Sequence, residues 1–471
     1  MNNFDLVIRG GTVVTAADTF NADVGIVGEQ IVVVGRGLDG KRVIDATDRL
    51  VFPGGIDSHC HIEQLEPDGS VHEETFESAA RSAFAGGTTT LIPFAPQFKG
   101  HAIAAHASDY AARAARSPID YTLHQIITDP TDAVIGEELP AIVHNGVRSL
   151  KVFLTYDPFH VTDQEYLRVL ETAKRLGAIV CVHCENYDAI RWKSDALLRA
   201  GRTEPISHAL SRPKIVEREA TYRAIALAEL VDQPVHIFHV SCAEVADEIA
   251  RAQARGVKVT GETCPQYLVL TAADMARPGR EGVKFMCSPS PRDAGDAEGL
   301  WRAIRAGTLD IISSDHCGYS FDGPRGKAIH GPAADFTHIP NGIPGLAARL
   351  AIAFSEGVSK GRISANQFVA LTATTPARRF GLYPRKGSIA PGFDADLVLW
   401  DPERQVTLTN DLMQHAIDYT PYEGLTVMGW PMTTIARGSV VMDNGVVTTK
   451  HGAGHFLAAA KRTGDGGPHA P

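Results

Sequence analysis

The sequence predicts an α/β protein: a (β/α)8 barrel with a small β-sandwich domain built from both chain ends. Three observations predict it. From about Val51 to Leu382, apolar runs alternate with helical stretches, and the repeat of roughly 30 residues is that of βα units. Both ends are rich in short strands punctuated by Gly, Asn and Asp. At 471 residues the chain is too long for one ordinary domain, since even a single barrel takes about 250. The expected division is 1–52 for the first part of the sandwich, 53–382 for the barrel, 383–450 for the second part and 451–471 for a C-terminal tail. A doubly wound open sheet is the alternative. It would usually carry a glycine-rich phosphate turn after its first strand, and Gly54-Gly55-Ile56-Asp57 is not that turn.

The elements follow in order. Asp5–Arg9, Thr12–Thr15, Ala22–Val27 and Gln30–Gly35 read as strands joined by hairpin turns such as Gly28-Glu29. Glu73–Phe84 is expected to be helical, with an acidic first turn and a stop at Gly86-Gly87, followed by strand Thr88–Pro93. Ile103–Ala115 reads as a helix and Tyr121–Ile127 as a strand. Asp163 is the expected N-cap of a helix over Gln164–Leu176, which Gly177 ends. Strand Ile179–Val182, helix Ile215–Leu230, strand Val235–Val240, helix Glu244–Arg255, strand Val257–Thr260 and strand Leu309–Ser314 complete the alternation. Short strands return at Gly392–Trp400, Thr433–Gly438 and Val440–Gly445, and residues after about Arg462 are expected to be mobile.

Composition excludes several classes. Hydrophobic residues at 44% and charged residues at 21% are ordinary for a globular chain and rule out disordered, collagen-like and coiled-coil proteins. The net charge of −10 makes nucleic acid and anionic membrane surfaces poor partners. No apolar run is long enough for a membrane span and no basic-then-apolar leader opens the chain, so a cytoplasmic location is expected. The seven cysteines, an odd number, are read as free thiols in a reducing compartment. Cys181-Val182-His183-Cys184 is formally a C-x-x-C, but no second pair completes a zinc ribbon, and two small buried residues on a strand is the plainer reading.

The chemistry concentrates at Ile56-Asp57-Ser58-His59-Cys60-His61. Side chains alternate along a strand, so His59 and His61 share a face and can grip one metal ion, with Asp57 in phase as acceptor or further ligand. Lys151, His183, His239 and Asp315 lie on or at the ends of other expected strands. Lys151 to His183 spans one βα unit, His183 to His239 one unit with an insertion, His239 to Asp315 two units and His61 to Lys151 three. That order places them on strands one, four, five, six and eight, whose C-terminal ends converge on one mouth in a barrel. Each alone has a plain reading: a hydrogen-bonded core histidine, an ion-paired lysine or a helix-capping aspartate. The joint pattern is what points to a metal centre.

These residues sit in stretches that together resemble one known family. Pro53-Gly54-Gly55-Ile56-Asp57-Ser58-His59-Cys60-His61, Gly86-Gly87-Thr88-Thr89-Thr90, Ser149-Leu150-Lys151-Val152-Phe153-Leu154, Val182-His183-Cys184-Glu185-Asn186, His239-Val240-Ser241, Ser313-Ser314-Asp315-His316-Cys317 and Pro340-Asn341-Gly342-Ile343-Pro344-Gly345 occur in order, and Gly387–Val398 adds a C-terminal match. The chain resembles the amidohydrolase superfamily over about residues 4–450, specifically the cyclic amidohydrolases: dihydropyrimidinase and hydantoinase, with allantoinase and dihydroorotase as cousins. The resemblance implies a TIM-like barrel that binds two divalent metal ions, usually zinc. Lys151 would be carbamylated by carbon dioxide and bridge them, His59, His61 and Asp315 would hold one ion, and His183 and His239 the other. A bridging hydroxide would attack the carbonyl of a small cyclic amide or ureide, giving an N-carbamoyl amino acid. Tyr156 would stabilise the oxyanion, Asp315 would carry the proton to the leaving nitrogen, and backbone groups at Ser288 and Asn341 would hold the ring's amide edge. Without the resemblance, Tyr156 is a strand-end aromatic, and Ser288 and Asn341 are turn residues. The family also implies a homo-oligomer, tetramer or dimer, with contacts near His451–Lys461.

One departure bears on specificity. Dihydroorotases carry an Arg two residues after the second metal histidine, where this chain has Glu63, so an acidic ring is disfavoured. Hydantoinases tend to have apolar residues in this loop, which here reads Glu63-Gln64-Leu65-Glu66-Pro67-Asp68-Gly69. Glu63 is in phase with His59 and His61, so it is expected to face the mouth and favour a small or polar substituent; capping or pairing within the loop is the alternative. His316 and Tyr319 are candidates for hydrogen bonds around the site. Competing activities are ring opening of allantoin or a cyclic imide, deamination at a mononuclear site, and a non-enzymatic dihydropyrimidinase-like scaffold that has lost its ligands. Every ligand position here carries a coordinating residue type.

Overall fold

The computed structural model describes residues 4–66, 72–323, 325–331 and 333–461. The expected mobile tail from Arg462 and the loop positions Pro67, Asp68 and Gly69 lie outside them. Two sheets organise the chain. Eight parallel strands follow in sequence order: Gly55–His61, Thr88–Ala95, His124–Ile126, Ser149–Phe153, Ile179–His183, Val235–Ile237, Val259–Thr263 and Leu309–Ile312. The sheet turns back on itself beyond the eighth strand: His316–Cys317 pairs in parallel with the first strand, His316 opposite Cys60 and Cys317 opposite His61. Asp57 and Arg349 reinforce this seam. Asp57 Oδ1 accepts from Ser314 N at 3.0 Å. Arg349, fully buried, donates to Ile312 O and Thr88 Oγ1, both at 2.9 Å.

The second sheet has nine strands and draws on both ends of the chain. Leu50–Pro53 is its junction: it runs parallel to Phe4–Val14 and antiparallel to Leu397–Thr407, with Pro53 opposite Leu397. Alternating residues such as Ile8, Val24, Val51, Leu397 and Ile435 close into one apolar cluster. Lys386 fastens this sheet to the barrel. Its buried ammonium lies 2.7 Å from Asp120 beside the barrel's second strand, 2.9 Å from Asp394 and 2.6 Å from Asp396. Three carboxylates around one cation hold Lys386 charged, although burial opposes it.

Helix starts depart from the sequence reading where side-chain caps decide them. Thr162, not Asp163, caps Asp163–Leu176, with reciprocal bonds between Thr162 and Glu165. Asp163 is the first helical residue, where its charge still favours the dipole. Thr75 and Ser78 make the same box, so the first barrel helix is Phe76–Ala85 and begins after Glu73. Tyr187–Arg199 and Ile206–Ser211 fill the insertion between strands five and six, and Ala294–Arg305 precedes strand eight. The segment expected as an intersubunit tail packs on its own barrel: Leu457 joins the barrel's inner cluster, and Ala459 N donates to Gly146 O at 2.9 Å. Gly146, at φ 94°, leaves room for Ala458 that a Cβ would take.

Removing the Lys386 ammonium leaves Asp396 without a cation among the described residues and leaves Asp120 and Asp394 with only Arg437 and Arg385. Lys386→Met is expected to destabilise by about 3–5 kcal/mol, measured as a lower urea midpoint at constant slope; an unchanged midpoint would show the cluster to be inessential.

Candidate metal centre and substrate cavity

The strand order brings the predicted residues to one end of the barrel. His59 and His61 project from the first strand, and Asp315 from the turn after the eighth. Asp315 Oδ1 lies 3.1 Å from His59 Nε2 and 3.6 Å from His61 Nε2, and the ligating atoms of the three lie within 4.8 Å of one another. His239 follows the sixth strand, with its ring 5.2 Å from that of His59 and 4.3 Å from that of His183 at the end of the fifth. Lys151 sits in the middle of the fourth strand. It is fully buried, its Nζ has no hydrogen-bond partner, and Phe238 and Phe153 lie 4.2 and 4.6 Å away.

Desolvation sets the protonation states. Burial lowers Lys151 to about 8, towards the neutral amine. Burial lowers His183 to about 4 and His61 below its ordinary value, and it drives His239 well below, with His183 and Lys151 adding to the shift. These rings are neutral, the form that ligates a metal. For His59, burial is outweighed by the Asp315 and Glu262 carboxylates, which raise it. The donor set therefore fits divalent ions: imidazoles, a carboxylate and a buried amine with an orphaned Nζ converge in one place.

Carboxylates that the sequence reading missed orient these ligands. Glu262, on the seventh strand, lies 2.6 Å from His59 Nδ1 and 3.5 Å from His236 Nε2. Burial opposes its charge, yet His59 and His236 hold it at about 2. Glu185 lies 2.8 Å from His183 Nε2 and accepts from Arg212 at 2.8 Å. A carboxylate in an otherwise buried strand, as in Gly261-Glu262-Thr263, was the available signal. Asp57 does not join the ligands; it is spent on the barrel seam. His316 also turns away, its Nδ1 accepting from Gly345 N at 3.1 Å. Cys181 and Cys184 bond separately, Cys181 to Ser149 and Cys184 to the Val182 carbonyl, and share no metal group among the described residues.

A cavity of about 200 Å³ opens beside the cluster, and Tyr156, Ser288 and Asn341 line it with all six candidate ligands. Asn341 Oδ1 is buried without a partner. Tyr156 at φ 72°, His239 at φ 41° and Asp315 at φ 50° occupy the left-handed region, a strain of order 1–3 kcal/mol each that the surrounding packing sustains. Glu63 shares this conformation at φ 44°, which breaks the strand alternation. Its carboxylate points away from the cavity, accepting from Phe76 N at 3.0 Å and Arg116 at 3.1 Å. Gln64 and Glu66 line the cavity instead. The expectation for Glu63 is thus overturned in favour of its capping alternative.

Comparison with known proteins agrees with this geometry. Residues 50–441 match the amidohydrolase family. A D-hydantoinase of Rhizobium radiobacter is 44% identical over 97% of this chain and 99% of its own. The chain belongs to the amidohydrolase family. A D-phenylhydantoinase of Escherichia coli K12 is 36% identical over 96% of this chain and 97% of its own. The crystal structure of dihydropyrimidinase from Brevibacillus agri superposes with a TM-score of 0.94 at 41% identity, covering 98% of this chain and 99% of that one. The chain therefore falls in the cyclic amidohydrolase branch, and the family's divalent metal centre has its counterpart in the cluster of His59, His61 and Asp315. No helix among the described residues is long and apolar enough to cross a membrane.

Two measurements test the electrostatics. Glu262→Gln is expected to weaken metal binding roughly 10–100-fold, read by competition with a chromophoric chelator. His124 and His208 are each held near 3 by burial, whereas the unfolded chain protonates near 6.5. The unfolded state then binds more protons as pH falls, so stability present above 6.5 is lost down to about 3, at about 1.4 kcal/mol per histidine per pH unit. Melting of chelator-stripped protein should show this decline; a flat profile from pH 6.5 to 4 would contradict neutral burial.

Proposed function

We propose that this chain hydrolyses the cyclic amide bond of hydantoins and dihydropyrimidines to N-carbamoyl amino acids. The observation that carries the reading is the buried, unpaired Lys151 amine among His59, His61, His183, His239 and Asp315, beside a cavity of ring size. A neutral buried amine is the form that adds carbon dioxide: its nitrogen bonds the carbon, a proton leaves, and an anionic oxygen ligand replaces an ammonium that could never coordinate. Two divalent ions, zinc by the donor chemistry, would be held by His59, His61 and Asp315 and by His183 and His239, with carbamylated Lys151 as a further oxygen ligand, and would supply activated water and polarise the substrate carbonyl.

The chain's own groups do the rest. Ser288 and Asn341 hold the amide edge of the ring and fix the carbonyl against the cluster. The Tyr156 hydroxyl, whose pKa burial pushes far up, stays protonated and donates to the carbonyl oxygen as charge develops there. Asp315 takes the proton of the attacking water and delivers it to the ring nitrogen as the C–N bond breaks. Glu262 and Glu185 keep His59 and His183 oriented. The filled ligand positions argue against the scaffold reading.

The domain division at residues 52, 382 and 450 belongs to this reading, supported by the pairing of Leu50–Pro53 with Leu397–Trp400. So does a cytoplasmic homo-oligomer. Seven buried, unpaired cysteines suit a reducing compartment, and exposed Trp192, Tyr222 and Leu230 offer apolar surface for assembly.

Zinc- and bicarbonate-loaded protein is expected to open hydantoin and dihydrouracil, with N-carbamoylglycine and N-carbamoyl-β-alanine as products; inactivity with two ions bound would sink the substrate assignment. Lys151→Ala should lose activity and bind fewer than two ions per chain by elemental analysis. Tyr156→Phe should lower kcat by about 10²–10³ with metal content unchanged.

A further inference from the structure

The cavity has two unlike walls. Phe153 and Phe159 form one. On the other, the Glu66 carboxylate is paired with His72 Nε2 through its Oε1, which also accepts from Tyr319 Oη at 3.2 Å. The His72 and Tyr319 rings pack 4.6 Å apart. Neighbouring Gln64 is engaged through Oε1 with His61 Nδ1 at 2.5 Å, which aligns this wall with the metal cluster. Tyr319 also abuts Gly342, where an added Cβ would come within 3.2 Å of its ring, so the wall continues to Asn341.

A carboxylate has about four acceptor sites, and His72 and Tyr319 occupy two. The Glu66 side chain is 24% exposed and lines the cavity. An apolar group pressed against it would strip water from the remaining sites and return nothing. A donor would replace that water with a charge-assisted hydrogen bond. Burial opposes the charge on Glu66, but the His72 contact keeps its pKa below the usual carboxylate value.

We propose that Glu66 selects cyclic ureides whose exocyclic side chain ends in a cationic or hydrogen-bond-donating group, such as an aminoalkyl or ureidoalkyl hydantoin. The inference rests on the ring-opening reading above and adds the substrate class.

The experiment compares kcat/KM for 5-(3-aminopropyl)hydantoin, 5-benzylhydantoin and unsubstituted hydantoin, using the metal-loaded enzyme. A preference of at least 10-fold for aminopropyl over benzyl is expected, and Glu66→Leu and Glu66→Gln should each reduce that ratio several-fold, most strongly for leucine. The ratio is taken within one preparation, so a lower active fraction does not move it. A native preference for benzyl, or a ratio unchanged in both variants, overturns the proposal while leaving ring opening intact. Failure to open even unsubstituted hydantoin overturns both. Should the leucine variant not fold, the native ratio and the isosteric glutamine variant decide.

Discussion

The site exists because the barrel closes. Its last strand must return to its first, and beside the His316–Cys317 pairing that joins them Asp315 Oδ1 lies 3.1 Å from His59 Nε2, at the core of the candidate metal cluster. The closure is built from buried polar groups rather than from apolar packing alone. Asp57 takes the Ser314 amide, and Arg349 spans the Ile312 carbonyl and Thr88. Each is fully buried, so losing one partner leaves an uncompensated charge. That constraint fixes the seam, and the seam fixes where Asp315 stands relative to two histidines two residues apart on one strand.

Beneath the cluster the barrel interior is a polar layer in an aromatic frame. His59 is clamped by Glu262, Glu262 is shared with His236, and His124 stacks on Phe94 with its Nε2 2.8 Å from the Ser58 carbonyl. Such a layer is costly unless every group is satisfied. Lys151 Nζ is left without a partner, as are His239 Nδ1 and Glu185 Oε1 near it, but it is a fully buried amine. Lys386 sits among three carboxylates and buried Lys327 donates to two carbonyls, whereas Lys151 Nζ has neither, the contrast on which its proposed role rests.

The cavity's other determinants come from loops. Tyr156, His239 and Asp315 each leave their strand by a left-handed residue, which turns the chain sharply enough to aim a side chain back over the mouth. The same turn at Glu63 sends that carboxylate outward to cap the Phe76–Ala85 helix, and hands the cavity wall to Gln64 and Glu66. Scaffold and cluster are thus set by strand geometry, whereas the face that meets a ring substituent is set by how one loop turns.

The sequence by itself determined the barrel, the pairing of the two chain ends and the convergence of His59, His61, Lys151, His183, His239 and Asp315, because strand alternation and βα spacing are periodic and periodicity survives in one dimension. It also held the identity of Lys386 and Glu262 but not their partners, since Asp120, Asp394, His59 and His236 are brought to them by sheet register and barrel closure. The cap at Thr162 rather than Asp163 turned on which side chain reaches a free amide. Glu63 was misplaced because a single positive φ resets the phase that alternation assumes, and no residue type announces it. Only the tertiary structure could decide that, because a backbone conformation costing a few kcal/mol is held in place by contacts from elsewhere in the fold, here the Phe76 amide and Arg116.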